Sequence, residues 1–179
     1  MKKIFVLGFV LALFVSCGNN NEKKETYAGD IQDTFFSVKF GASKEEVKAN
    51  FLNKGFKIVN DGVVDGVDNL FMEHDENIHF GGYTWEGVTV SFINNRFNGI
   101  VFLMTLDRNP KLKTVEARIF QDILSDLSKK YNMRKDYGEY ITYSAAIDKK
   151  SVSLMWDVEG RLIMLTYIDV TFDSYLDQL

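Results

Sequence analysis

One cysteine, one proline and two histidines stand among 179 residues, and each scarcity closes a class of answer. A single cysteine builds no intramolecular disulfide framework. One proline excludes collagen-like and proline-rich chains. No apolar run reaches the roughly 20 residues that cross a bilayer, so a multi-pass membrane protein is excluded. Positive charge is also short: 21 Lys and Arg face 25 Asp and Glu, a formal net charge of -4. Phosphate affinity comes from clustered cations, so recognition of nucleic acid by a basic face is excluded. What is present, 46% hydrophobic and 26% charged residues, suits one ordinary globular domain with an accessory segment. A domain of this size buries roughly 70% of its unfolded surface and needs neither disulfides nor a structural metal.

The accessory segment lies first in the chain. Met1-Lys2-Lys3 is a short positive start, Ile4 to Val15 is apolar except at Gly8, and Ser16-Cys17 closes the run with small residues. This is the layout of a cleaved secretory leader. Phe14-Val15-Ser16-Cys17 resembles a bacterial lipobox, in which the cysteine thiol is acylated and the leader removed in front of it, although Phe14 stands where leucine is usual. The expectation is therefore a signal peptide over 1–16, lipid on Cys17, and a tether over 17–34. The run from Gly18 to Thr26 holds no apolar residue, as a flexible spacer should. Removal of the leader leaves 19 Lys and Arg against 25 Asp and Glu, and such an acidic domain does not adhere to an anionic membrane by charge.

From Phe35 to Leu179 no low-complexity or proline-rich stretch marks a second boundary, so a single domain is expected over 35–179. Ser43-Lys44-Glu45-Glu46 is a capping box and opens a helix of about three turns. Val47 and Phe51 define its buried face with Leu52 beside them, and Gly55 stops it. A longer helix follows Asn109-Pro110, where Leu112, Val115, Ile119, Phe120, Ile123, Leu124, Leu127 and Tyr131 recur at three and four. Gly87–Ile93 and Arg96–Leu106 flank Asn94-Asn95, a two-residue hairpin signal that sets Phe92 opposite Phe97. Ile100 to Met104 is apolar at every position and belongs in a central strand covered on both faces. Residues 140–147, 151–156 and 162–170 form a three-strand meander. A three-residue loop at Val158-Glu159-Gly160 would align Trp156, Leu154 and Val152 with Leu162, Met164 and Thr166.

The fold expected is α+β: an antiparallel sheet of about seven to eight strands, with a short N-terminal helix and one long central helix packed on one face. A degenerate duplication of a helix-plus-sheet unit is compatible with this order. Phe40-Gly41-Ala42-Ser43-Lys44-Glu45-Glu46-Val47, Phe51, Gly55-Phe56 and the hairpin Val90–Phe97 resemble envelope proteins built like beta-lactamase inhibitor protein. They are also similar to the small outer-membrane assembly lipoproteins of the SmpA type. Those lipoproteins usually carry two helices before the hairpin, and this chain shows one. The resemblance spans roughly residues 38–106 and implies a sheet that serves as a binding surface, with no catalytic residue carried over.

Few residues suggest chemistry. His74 and His79 flank Asp75-Glu76-Asn77-Ile78, and with Glu73, Asp75 or Glu76 they would suit zinc or copper. A turn at Glu76-Asn77 sets the two imidazoles opposite each other. A loop at Asp75-Glu76-Asn77 instead sets His74 against Ile78 and Met72 against Phe80, which gathers one apolar face and is the register expected. Asp61, Asp65 and Asp68 offer oxygens to calcium, but their spacing is not that of an EF-hand, and the stretch from Asn60 to Asn69 reads as a long solvated connection between strands. No Gly-x-Ser-x-Gly or His-Glu-x-x-His sequence occurs. Tyr83 and Trp85 are the aromatic candidates for stacking on a sugar or a partner protein. Together these readings point to a lipid-anchored binding module of the bacterial cell envelope, placed at the outer membrane, with a protein partner and no cofactor. The alternative is a small metal-dependent or carboxylate-based hydrolase.

Overall fold

The computed structural model describes residues 30–64, 66–106 and 113–172. The leader, Cys17, Asp65, Asp107 and the cap at Asn109-Pro110 lie outside the described residues. The described elements are β1 (Thr34–Phe35), β2 (Val38–Lys39), α1 (Lys44–Asn53), β3 (Phe56–Val64), β4 (Val67–Phe80), β5 (Tyr83–Ile93) and β6 (Arg96–Thr105), then α2 (Lys113–Ser128), β7 (Arg134–Asp136), β8 (Ile141–Ile147), β9 (Lys150–Asp157) and β10 (Leu162–Asp169). β1 and β2 pair alone; the other eight strands form one antiparallel sheet in the order β3-β4-β5-β6-β10-β9-β8-β7. The fold is α+β. Its order contains two units, each a helix followed by a four-strand meander, which meet through their last strands, β6 and β10.

Local chemistry accounts for the joins. Ser43 Oγ accepts a hydrogen bond from the Glu46 amide at 3.3 Å, so the expected cap opens α1. Val47 and Phe51 are buried beneath it, whereas Leu52 is 49% exposed, because the next position on a helix turns about 100° away. Asn94 and Asn95 both have positive φ, 51° and 59°, and the turn they make sets Phe92 against Phe97 as the sequence predicts. The same hairpin is stitched to the entry of α1, since the Phe97 amide donates to Ala42 O at 2.9 Å and the Gly41 amide to Phe97 O at 2.8 Å.

β6 is central and carries buried side chains on both faces. Ile100 and Phe102 join the main core with Val47, Phe51, Phe120, Ile123, Leu154 and Leu165. Val101 and Leu103 point the other way into a smaller cluster with Met155 and Met164.

Three expectations need correction. The loop after β9 has four residues, with Arg161 at φ 54°, so Trp156 pairs with Ile163, Leu154 with Leu165 and Val152 with Tyr167. That register places Ile163, Leu165 and Tyr167 in the core; a one-residue slip would have turned them out. Residues 60–69, read as a long connection, are instead mostly the paired ends of β3 and β4. Neither turn considered between His74 and His79 exists. β4 runs on to Phe80, the turn is Gly81-Gly82 with φ 64° and 84°, and the pairing jumps from Glu73↔Gly87 to Ile78↔Trp85. Four residues, 74–77, thus bulge opposite Glu86. A bulge bends its strand, and this one carries the hairpin tip back over the core: Phe80 stacks on Phe102 with ring centroids 4.0 Å apart.

The folded body reaches upstream of Phe35. Ile31 is 1% exposed, and Asp33 takes the Lys150 ammonium at 3.1 Å. Among the described residues no helix is long and apolar enough to cross a membrane.

Candidate functional site

The histidines have separate commitments. His74 Nδ1 lies 3.0 Å from both the amide nitrogen and the carbonyl oxygen of Glu76. A carbonyl oxygen can only accept, so His74 Nε2–H donates to Lys54 O, also at 3.0 Å. The ring therefore latches the bulge in β4 to the C-terminal end of α1, and stands edge-on to Phe56. It also fixes Gly55, whose φ is +86° and where an added Cβ would lie 2.9 Å from His74 Nε2. His79 is exposed on the far side of the bulge, beside Thr84 Oγ1 at 3.4 Å. The two imidazoles are not brought together, and no three His, Cys, Asp or Glu among the described residues group as metal ligands.

Two of the aspartates weighed for calcium, Asp61 and Asp68, hold an ammonium. Lys44 Nζ lies 2.6 Å from Asp61 Oδ1 and 2.7 Å from Asp68 Oδ1, and Lys48 Nζ lies 2.7 Å from Asp61 Oδ2. Lys44 also stands over the Phe92 ring at 5.7 Å. This network ties α1 to the β3–β4 hairpin. Hydrogen bonds from Lys44 and Lys48 hold the Asp61 carboxyl below its ordinary value.

Tyr83 and Trp85 have opposite surroundings. Trp85 is 0% exposed, donates its indole N–H to Phe80 O at 3.0 Å and leans on Phe102, so it has no surface to offer a ligand. Tyr83, two residues earlier and so on the same face of β5, directly follows the Gly81-Gly82 turn and is half-buried. Its hydroxyl donates to Asp126 Oδ2 of α2 at 2.7 Å. Asp126 Oδ1 takes the Lys129 ammonium at 2.7 Å, and these two bonds, Lys129 first, lower its pKa. Burial, then the hydrogen bond to Asp126, pushes the Tyr83 phenol up to about 12, so it remains a donor across the physiological range.

The contact closes one side of a cavity of about 70 Å³ between the hairpin tip, α2 and β10, lined by Phe80, Tyr83, Ile123, Asp126, Leu165 and Tyr167 among others. Its lining mixes the apolar Phe80, Ile123 and Leu165 with the polar Tyr83 and Asp126, and its volume is well below the roughly 300 Å³ of an ordinary small-molecule pocket. Gln32 and Lys130 also line it. No family model, curated protein or solved structure matches the chain.

Asp126 and Tyr167 are the site residues that the sequence reading missed. No local signal marks either one: Asp126 meets Tyr83 across 43 positions, and Tyr167 lies in a strand whose register was read one residue out. The Gly81-Gly82 turn was missed as well, although a glycine pair between alternating segments is a hairpin signal of the same kind as Asn94-Asn95.

Proposed function

We propose that this chain is a lipid-anchored lipoprotein of the bacterial cell envelope, held at the outer membrane through Cys17, whose α+β domain is a binding module for a protein partner. The leader, the lipobox-like tetrapeptide and the polar spacer support the anchor. The carrying observation for binding is the Tyr83 tip, an aromatic in the lining of a small cavity with its hydroxyl fixed by Asp126. Aromatic anchors of this type supply large contact area at low entropy cost. In this reading α2 is the long central helix backing the sheet on one face, and the two helix-plus-meander units are a degenerate duplication. The likeness to sheet-binding envelope proteins agrees with it. The separate bonds of His74 and His79 leave the hydrolase alternative without a shared metal site at those residues.

Capture of a partner from the native envelope by the lipidated protein tests the reading. The captured protein should be lost on Tyr83→Ala while circular dichroism and thermal unfolding stay those of a folded chain. Turnover of a defined substrate by metal-stripped protein, abolished by one carboxylate substitution without unfolding, would refute it.

A further inference from the structure

The register of the second meander sends two loops to one end of the sheet. Asp136 pairs with Thr142, Ile141 with Trp156, and Asp157 with Leu162, so residues 137–140 and 158–161 emerge side by side. Each loop carries an exposed apolar side chain. Tyr137 is 99% exposed and Val158 40%. Isolated exposed apolar residues are ordinary, but here two of them stand on adjoining loops at one end of the sheet, Tyr137 after β7 and Val158 after β9.

The charge around the two loops is mainly negative. Asp136, Glu139, Asp157 and Glu159 lie on these loops or at their strand ends, and Arg161, the cation within them, is turned onto Glu116 of α2. Arg134 and Lys135 precede Asp136 on β7. Asp157 commits one oxygen to the Gly160 amide at 2.7 Å, which leaves its charge in place. The Tyr140 phenol registers the field, raised first by Glu139 and further by Asp157 and Glu159. The amino-terminal chain is pinned at the opposite end of β9, where Lys150 takes Asp33. About 25 Å of strand separates that point from Asp157, so a chain tethered through its amino terminus holds this end away from its anchor.

We propose that the two loops form a docking surface, separate from the Tyr83 cavity, for a protein segment that is both apolar and basic. Tyr137 and Val158 give contact area, and the surrounding carboxylates select lysine and arginine. An anionic lipid headgroup would be repelled by the same carboxylates.

The test uses the full-length chain and a short fluorescent peptide alternating lysine with leucine, followed by anisotropy. Saturable binding is expected, weakened about tenfold or more by Tyr137→Ser, weakened by added salt, and unchanged by Tyr83→Ala. Because Tyr137 is exposed on a loop, the serine variant should keep the wild-type thermal unfolding curve. Equal affinity of Tyr137→Ser, equal binding of a peptide with glutamate in place of lysine, or loss of binding on Tyr83→Ala would overturn the proposal. So would Tyr137-dependent retention on phosphatidylcholine vesicles, which would make the occupant a membrane.

Discussion

The first unit of the sheet invests in strands of 9, 14, 11 and 10 residues under a helix of 10, the second in a helix of 16 over strands of 3, 7, 8 and 8. The first fills its core with aromatic rings: Phe51 and Phe56 pack edge-on, and Phe80 lies flat on Phe102. The second uses Val152, Leu154, Ile163 and Leu165, with Phe120 against Trp156. The same connectivity therefore admits two ways of covering a sheet. In the first unit a bulged hairpin folds back over the core, and in the second Phe120 of α2 meets Trp156 of β9. The surfaces follow from this difference. The folded-back hairpin brings Tyr83 to α2, while the short β7–β8 connection leaves Tyr137 bare.

The largest effect should come from removing the ring on which the folded-back hairpin rests. Phe102→Ala is expected to cost about 4 kcal/mol, against about 3 kcal/mol for Leu154→Ala in the second unit, read by denaturant titration at equal m-value. Equal or reversed costs would break the contrast between aromatic and aliphatic packing. The attachments of the two helices should differ next. Glu116 is buried on Arg161, so Glu116→Leu leaves a largely buried guanidinium unpaired and should cost about 3 kcal/mol.

Tyr83→Phe removes one hydrogen bond between the units and should cost about 1 kcal/mol. The phenol is raised in the folded state, so its contribution is complete below the unfolded value near pH ~10 and is lost as pH rises through about 12. The phenylalanine variant should lack that increment of alkaline destabilisation in pH-dependent unfolding. Smallest is Lys44→Met, below about 1 kcal/mol, because its carboxylate partners are solvent-accessible. It should also flatten the acid limb. Asp61 titrates below its unfolded value, so its contribution is present above pH ~4 and disappears as pH falls through the lowered folded value.

What could be read from the sequence divides along the same line. Local signals were sufficient where one element decides the outcome: Ser43 and Glu46 for a cap, Asn94-Asn95 for a turn, and the unbroken apolar run at 100–104 for a central strand. They failed where the outcome depends on distant partners. The 74–77 bulge is favoured because it carries Phe80 onto Phe102, a gain invisible in a ten-residue window. The loop at 158–161 takes one more residue than expected because that register buries Tyr167. Trp85 and Tyr83 looked equivalent as aromatic stacking candidates, and only the folded hairpin separates a core indole from an anchored phenol. The charge pattern of Asp61 and Asp68 was visible, but the lysines that satisfy them come from α1.

Site-specific photo-crosslinking at position 83 in the living cell envelope tests the central claim most directly. With a photoreactive phenylalanine analogue in place of Tyr83, the account predicts one dominant protein adduct, absent when the analogue stands at the buried position Trp85 or at Val63 on the edge strand β3. No adduct at position 83, or the same adducts at equal yield from positions 83 and 63, would contradict it.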